Sequence, residues 1–165
     1  MVVIIGITVS FASLSLSSRA NDERLVNEAN RLEALLKLAA DEAIVQGEEI
    51  GLLVAADGYA FYHLEQNQWT AYEQGPLRER ELPEGMSLTL AEDGREELQI
   101  PLPQGADKNA DQDKKRTDPQ ILMLSSGEIT PFVLQLRARH LRVLYRAEGK
   151  ITGQIEIQRI EEKST

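Results

Sequence analysis

Cysteine is absent from this chain of 165 residues, and histidine occurs only twice. The absence of cysteine excludes disulfides, thiol catalysis, zinc fingers and iron–sulfur ligation. The 18 Lys and Arg residues do not balance the 27 Asp and Glu residues, so the formal net charge is −9. Because nucleic-acid binders draw much of their affinity from neutralising phosphates, this charge disfavours that class of protein. A hydrophobic content of 42% is sufficient for one domain with one core.

The sequence also has few groups suited to catalysis. A serine nucleophile would need His63 or His140 as its base, and Ser125 and Ser126 lack the surrounding G-x-S-x-G elbow. The zinc-protease motif H-E-x-x-H and the nucleotide-binding motifs G-x-x-x-x-G-K and G-x-G-x-x-G are missing. We therefore predict a protein that is not an enzyme and uses no cofactor.

A polar stretch at 103–119 contains no aliphatic residue larger than alanine, which predicts a surface loop. Its oxygen-bearing side chains alternate as in a calcium-binding loop, and they are Asp107, Asn109, Asp111, Asp113 and Asp118. Gln112 stands where such a loop needs glycine, and several lysines and an arginine would lie beside the ion. We therefore favour a solvated loop without a metal.

Four arginines form the one basic cluster of the sequence, and they are Arg137, Arg139, Arg142 and Arg146. They are interleaved with apolar residues, so a DNA-binding stripe is one interpretation. The alternative is that they lie on the solvent faces of strands and pair with acids such as Glu156 on a neighbouring strand. The net charge of −9 favours the second interpretation.

The first residues differ from the rest of the chain, because Val2 to Leu16 carry no charge and the first charged side chain is Arg19. As a helix this segment would rise about 22 Å, which is less than the hydrocarbon core of roughly 30 Å. We interpret it as the second part of a membrane helix whose beginning lies upstream of Met1. A buried strand or core helix is the alternative for an apolar run of this length.

Helical periodicity follows directly on the apolar segment. One stripe of about 100° is predicted to pack on sheets, and it consists of Leu25, Ala29, Leu32, Leu36, Ala39 and Ala43. The opposite face is expected to hold Glu23, Arg24, Glu28, Arg31, Lys37 and Asp41. Gly47 stands where a helix ends, and no proline occurs before it. We therefore predict one long helix, with an apolar part at 1–18 and the remainder joined to a globular domain at 19–165.

Beyond the helix the pattern changes to alternation of polar and apolar residues, which predicts antiparallel sheets with one solvent face. Asp57-Gly58 and Asp93-Gly94 are expected to form hairpin turns. Further turns are expected near Arg139-His140 and at Glu148-Gly149, the latter leading into a strand that begins at Ile151. The predicted fold class is α+β, with a long N-terminal helix packed on antiparallel β-sheets.

Three stretches of the sequence resemble a known family. Residues 2–7 (VVIIGI) resemble the interior of the N-terminal segment of type IV pilin-like proteins, a motif of low specificity. Residues 36–51 (LKLAADEAIVQGEEIG) and 119–132 (PQILMLSSGEITPF) resemble minor pseudopilins of the H type from type II secretion systems. The family's processing motif, a glycine followed by phenylalanine, threonine and leucine, is not present, so no cleavage site carries over.

The resemblance implies a pilin-like fold and a non-enzymatic subunit at or near the tip of a short periplasmic fibre. It implies a single-pass protein of the bacterial inner membrane with its globular domain in the periplasm. The implied partners are other major and minor pseudopilins and, before assembly, the inner membrane. The exported substrate and the secretin are further candidates, and no nucleic acid is expected.

If the helix is intact, its apolar part is expected to pack on neighbouring helices through Val2, Val3, Ile4, Ile5, Ile7, Val9, Phe11, Leu14 and Leu16. Two other functions share the helix. One is a type IV minor pilin that acts in pilus initiation or DNA uptake, and the other is a membrane-tethered ligand-binding module. Binding of DNA by Arg137 and Arg139 would favour the first, and a monomer that ignores pseudopilins would favour the second.

Overall fold

A computed structural model describes residues 2–91 and 119–162, with side chains described for 21–91 and 119–162. In these ranges the chain forms one helix, α1, at Val2–Gln46, followed by nine strands. The strands are β1 Ile50–Ala55, β2 Gly58–Glu65, β3 Gln68–Ala71, β4 Arg80–Glu81, β5 Met86–Ala91, β6 Ile121–Met123, β7 Phe132–Ala138, β8 Val143–Gly149 and β9 Ile155–Glu161. The predicted class, α+β with one N-terminal helix, is confirmed.

Helix α1 ends where the sequence predicts. Gly47 takes a left-handed conformation with φ of +69°, which carries no steric penalty for glycine. The Glu48 N–H then donates to the Ala43 carbonyl oxygen at 3.2 Å. This bond from the second residue after the helix to its last turn is the Schellman arrangement, and it satisfies a carbonyl that the helix leaves unpaired.

The strands form two antiparallel sheets. The first sheet has the order β3-β2-β1-β6, with the short strand β4 paired on β2. The second sheet has the order β5-β7-β8-β9. Strands β7, β8 and β9 run back and forth along the chain, so the two ends of this sheet are built by the turns between them. Helix α1 contacts both sheets, with β1 and β6 from the first and β7 and β9 from the second.

The first hairpin is where the sequence predicts it, but its loop is shifted by one residue. Ala55 pairs with Gly58, so the two loop residues are Ala56 and Asp57, and Gly58 begins β2. A β-carbon at Gly58 would overlap the Arg80 carbonyl of β4. Glycine is therefore required at this position because β4 approaches closely, and not because of the turn. The prediction of an Asp57-Gly58 turn is wrong in register for this reason.

The second hairpin joins β2 and β3 through a tight turn of two residues. Glu65 pairs with Gln68, and the two loop residues, Gln66 and Asn67, have φ values of 47° and 66°. Two successive positive φ values define a type I′ turn, whose twist matches that of the flanking strands. This turn brings the strand of Trp69 against β2.

The turn predicted at Glu148-Gly149 is wrong, because both residues belong to β8. Gly149 pairs with Phe132, and a β-carbon on this glycine would overlap the Phe132 ring. The glycine thus makes room for the ring, and the chain reverses later, where the Gly153 N–H donates to the Lys150 carbonyl. Ile151 lies in this reversal and is 59% exposed, so it does not begin β9.

The turn predicted near Arg139-His140 is present between β7 and β8, and His140 has a φ of +70°. Two other predictions lie outside the described residues. They are the Asp93-Gly94 hairpin and all but the last residue of the 103–119 loop, which includes the oxygen-bearing side chains considered for calcium.

The core lies between α1 and the two sheets. Its largest fully buried sheet residues are Ile50, Leu52, Phe61, Leu88, Ile121, Met123, Leu134 and Leu136. Full burial of such a side chain contributes about 1.5–3 kcal/mol relative to exposure. The helix therefore joins the two sheets into one hydrophobic core.

Candidate assembly interface

The stripe of small and branched apolar residues on α1 lies at the centre of the core. Leu25, Ala29, Leu32, Leu36, Ala39 and Ala43 are each 0–1% exposed. They pack in one cluster with residues of both sheets, including Phe61, Met123 and Leu134. The alanines have short side chains, so the sheets can approach the helix backbone closely. This half of α1 is therefore held by the domain.

The other half of α1 precedes every described contact with the sheets. The first described contact between α1 and the sheets joins Asp22 Oδ1 to Arg159 Nη2 of β9, at 3.9 Å. The first described helix residue that is buried is Leu25. The helix continues without interruption back to Val2, which lies about 30 Å along the axis from Asp22 at 1.5 Å per residue. The nine residues predicted to pack on neighbouring helices, from Val2 to Leu16, belong to this part, and their side chains are outside the described set.

Among the described residues, no helix is both long and apolar enough to cross a membrane.

A buried carboxylate within the packed half was not predicted. Glu28 is 3% exposed, although the sequence placed it on the solvent face, so that assignment is wrong. Its position lies three residues after Leu25 and four before Leu32, which is the spacing of the buried face. The spacing of Glu28 therefore indicates burial, whereas the charge of its side chain indicates exposure.

Two donors hold the Glu28 carboxylate. The Tyr59 hydroxyl of β2 donates to Glu28 Oε1 at 3.1 Å, and Arg31 Nη1 donates to Oε2 at 2.8 Å. Burial, followed by the nearby Glu28 charge, raises the pKa of the Tyr59 hydroxyl above its ordinary value. The tyrosine therefore stays protonated and remains a donor. The cluster ties α1 to the first sheet through a polar contact inside the core.

The histidines and serines considered for catalysis do not form a catalytic pair in the described part of the chain. His63 lies in β2, where its ring contacts Tyr72 and its Nε2 lies 3.6 Å from Glu65. His140 is in the turn after β7, and neither histidine hydrogen-bonds to Ser125 or Ser126 there. Within the same residues, no cluster of three metal-ligating side chains occurs.

The arginines of the predicted basic cluster lie in and beside β7 and β8. Arg137 pairs with Glu162, and Arg146 lies 3.8 Å from Glu148. The predicted partner Glu156 is wrong, because it stands opposite Glu148 in the β8–β9 register and contacts Lys150 instead. The strand register, which the sequence does not specify, decided these pairs.

The architecture of one long helix packed on two antiparallel sheets is found in solved pilin-like proteins. The minor pseudopilin EpsH from the type II secretion system of Vibrio cholerae aligns with a TM-score of 0.64 and 21% identity. The alignment covers 82% of this chain and 96% of EpsH. The type IV minor pilin FimU of Pseudomonas aeruginosa aligns with a TM-score of 0.54 and 14% identity, over 83% and 90% of the two chains. The fold is therefore pilin-like.

Sequence comparison identifies the family. The family model described as "Type II transport protein GspH" matches residues 28–152, and the chain belongs to this family. A relative from Pseudomonas aeruginosa, the type II secretion system protein H, is 35% identical over 142 residues, which are 84% of this chain and 78% of the relative. The predicted resemblance to minor pseudopilins of type II secretion is confirmed.

Proposed function

We propose that this protein is a structural, non-enzymatic subunit of a type II secretion pseudopilus. It lies at or near the tip of the fibre and assists export of proteins across the outer membrane. Before assembly it is anchored in the inner membrane by the apolar part of α1, with its globular domain in the periplasm. Its partners are the other pseudopilins, and the tip position is taken from the family.

The observation that carries this proposal is the division of one helix into two parts. Every described helix residue that is buried lies at or after Leu25. The helix nevertheless continues to Val2, through a segment without charge from Val2 to Leu16. An uncharged helical segment that precedes the first described buried residue of the helix is suited to a membrane or to the core of a fibre.

Assembly then follows from a change of surroundings for this apolar segment. In the bilayer the segment is satisfied by lipid, whereas in water its apolar surface would cost about 25 cal/mol per Å². Packing against neighbouring helices in a fibre removes that cost. Gly6 and Ala12 are small residues that permit close approach of such helices. Contacts of this heterologous kind extend into filaments and do not close into rings.

The test is a double substitution, Ile5→Asp with Val9→Asp, in the full chain. Two carboxylates in this segment are expected to abolish incorporation into the fibre, because neither lipid nor apolar helices solvate them. The measurements are the amount of this protein in sheared pseudopili and the amount of secreted enzyme in a host that lacks its own copy.

The matched control is Ile5→Leu with Val9→Leu, which keeps the segment apolar and should incorporate normally. Thermal unfolding of the domain should be the same in both variants, since the domain begins after this segment. Normal incorporation and secretion with the two aspartates would refute the proposed function.

A further inference from the structure

The two sheets differ in the faces that they turn away from α1. Residues paired across antiparallel strands share a face, and successive residues of a strand alternate between faces. In the second sheet this outer face is polar, and its residues include Gln135, Arg137, Arg146, Glu148, Glu156 and Gln158. In the first sheet it is apolar, and its residues are Leu53, Ala60, Tyr62, Leu64, Trp69, Ala71 and Leu122. We call the second set the apolar face.

The apolar face is separate from the core. Its five large side chains are half-buried, and within the described chain none of them packs against the core cluster. Their neighbours along the strands, Ile50, Leu52 and Phe61, point towards α1 and are 0–1% exposed. An antiparallel sheet with one face on a core ordinarily turns polar side chains to water on the other. The first sheet instead keeps a second apolar surface that α1 does not cover.

Two aromatic side chains lie in the apolar face. Tyr62 is in β2 and Trp69 is in β3, directly beside it. A β-carbon on Gly51 of β1 would overlap the Pro119 ring and lie 3.1 Å from Trp69 Cζ3, so both rings lie over this glycine. Tryptophan and tyrosine are enriched where protein interfaces concentrate their binding energy, because their rigid rings bury a large area. A connected apolar surface of this composition indicates a binding site for another protein.

Carboxylates border the apolar face. Glu81 of β4 pairs with Gly58, and Glu49 extends β1 opposite Leu64, whose N–H donates to the Glu49 carbonyl at 2.9 Å. Glu73 follows β3 in the same alternation. The outer positions of β1, β2, β3, β4 and β6 include no lysine or arginine. A partner whose own border carries lysine or arginine therefore complements the charge of this surface.

The same charges argue against a second copy of this chain as the partner. Two apolar faces in contact would set their acidic borders against each other, and each chain already carries a net charge of −9. The arginine-bordered groove of this chain, which Met86, Arg139 and Leu141 help to line, is concave, whereas the apolar face is a sheet surface. The complementary surface therefore belongs to a different protein.

The position and size of the apolar face indicate a protein outside the fibre. Helix α1 packs on the opposite side of the first sheet, through core residues such as Phe61 and Met123. In the proposed function the helices form the fibre core, so the apolar face points away from that core. Four strands about 4.8 Å apart, with about five residues of about 3.3 Å each, give a face of roughly 300 Å². A stable interface needs about 800 Å² per partner, so this face suits a contact that forms and releases.

We propose that the apolar face binds the exported protein transiently, through a surface of that protein that is apolar at its centre and bordered by lysine or arginine. This inference rests on the proposed function and adds the surface by which the subunit meets the protein that is exported. The apolar contact supplies the affinity, and the opposite charges accelerate the encounter and set its orientation.

The first test reverses the sign of charge at one position of the apolar face in the full chain. Ala71 is exposed, so a longer side chain there does not disturb the core. Ala71→Arg should lower the amount of secreted enzyme at least fivefold, because the guanidinium group repels the partner's cations. Ala71→Glu keeps the sign of the border and should secrete at least as much as the unchanged protein. Both variants should incorporate into sheared pseudopili normally and keep the domain's melting temperature.

The matched control is Gln158→Arg, which places the same charge at an exposed position on the outer face of the second sheet. This control should secrete normally. Equal secretion by the Ala71→Arg and Ala71→Glu variants would overturn the inference, and so would an equal loss in Ala71→Arg and Gln158→Arg.

The second test replaces Ala71 with the photo-cross-linking residue p-benzoylphenylalanine in cells that secrete through the fibre. The expected adduct joins position 71 to the secreted enzyme, at an apolar site beside lysine or arginine, as read by mass spectrometry. The same probe at Gln158 should give no adduct with that enzyme. Adducts of position 71 only with a pseudopilin, with the secretin or with a second copy of this chain would overturn the inference. The absence of any adduct at position 71 would do the same.

The two proposals fail in different ways. If Ala71→Arg secretes normally while Ile5→Asp with Val9→Asp blocks assembly, the docking surface is refuted and the proposed function stands. If Ile5→Asp with Val9→Asp has no effect, the proposed function falls, and the inference that rests on it falls too.

Discussion

The two halves of α1 share one backbone conformation but differ in the side chains they carry. Residues 21–46 have a packed face on two sheets and a charged solvent face, with Lys37 and Glu33 paired at 2.7 Å one turn apart. Residues 2–16 have no charged face at all. A helix needs only local hydrogen bonds, so its conformation is indifferent to the surrounding medium. The side chains decide whether that medium is a protein core, water or an apolar phase.

The boundary between the two halves of α1 coincides with the start of the domain core. Asp22 and Arg159 lie 3.9 Å apart at the start of the packed half, and the buried face begins one turn later with Leu25. Towards the N-terminus from this point, the helix no longer has a charged face opposite an apolar face. We therefore expect substitutions in the two halves to have separate consequences, stability for one and assembly for the other.

The largest expected effect is that of Leu36→Ala against Leu14→Ala. Leu36 is fully buried between the sheets, so its truncation should lower the free energy of unfolding by about 2–5 kcal/mol. Leu14→Ala should leave that free energy unchanged, because the domain core begins later. Urea denaturation of the full chain in mild detergent, followed by tryptophan fluorescence, measures both. Equal losses would show that the two halves fold as one unit.

A smaller effect is expected from the buried carboxylate. Glu28→Ala removes the acceptor of the Tyr59 hydroxyl and should cost about 1–3 kcal/mol, the range for leaving a buried polar group unpaired. The control is Glu23→Ala on the exposed part of the same helix, which should change stability by less than about 0.5 kcal/mol. A loss at Glu23 as large as that at Glu28 would contradict the role assigned to the buried contact.

Alkaline pH should reveal the same contact through Tyr59. Its pKa in the folded protein lies above the ordinary value of about 10, so the stabilisation is complete below pH 10 and is lost as pH rises beyond it. One tyrosine contributes a slope of up to about 1.4 kcal/mol per pH unit in that range. In Tyr59→Phe the free energy of unfolding should fall less steeply with pH above pH 10, by this amount. Urea denaturation at pH 9 to 11 measures both slopes. Identical slopes for the two proteins would exclude Tyr59 as the source.

The smallest effect is expected on the solvent face of the packed half. Lys37→Ala breaks the exposed pair with Glu33 and should change stability by less than about 0.5 kcal/mol. That small change should diminish further as salt is raised to 1 M, because exposed charges are screened. A loss above 1 kcal/mol that is insensitive to salt would show that this face is not a solvent face.

Local patterns predicted those features that depend on neighbouring residues. The helix end at Gly47, the class of antiparallel sheets and the turn at His140 all follow from spacing and turn residues. The burial of Glu28 does not follow in this way. It is predicted on the solvent face, whereas in the structure it is buried and accepts a hydrogen bond from the Tyr59 hydroxyl, which is distant in sequence.

The two glycine errors have a common physical origin. The sequence predicts both Gly58 and Gly149 in turns, since glycine is favoured there. In the folded protein Gly58 faces the Arg80 carbonyl and Gly149 lies under the Phe132 ring. Each partner is distant in sequence, so the need for a missing β-carbon cannot be read from the residues on either side.

The sequence alone determined that this protein has one long helix, apolar all round at first and one-sided afterwards, followed by antiparallel strands. It did so because helical and strand periodicities are local consequences of backbone geometry. The tertiary structure alone decided which charges are buried, which acids pair with which arginines, and which large apolar side chains stay exposed. Those features depend on strand register and on contacts between distant segments, which are fixed only when the helix and both sheets pack around a common core.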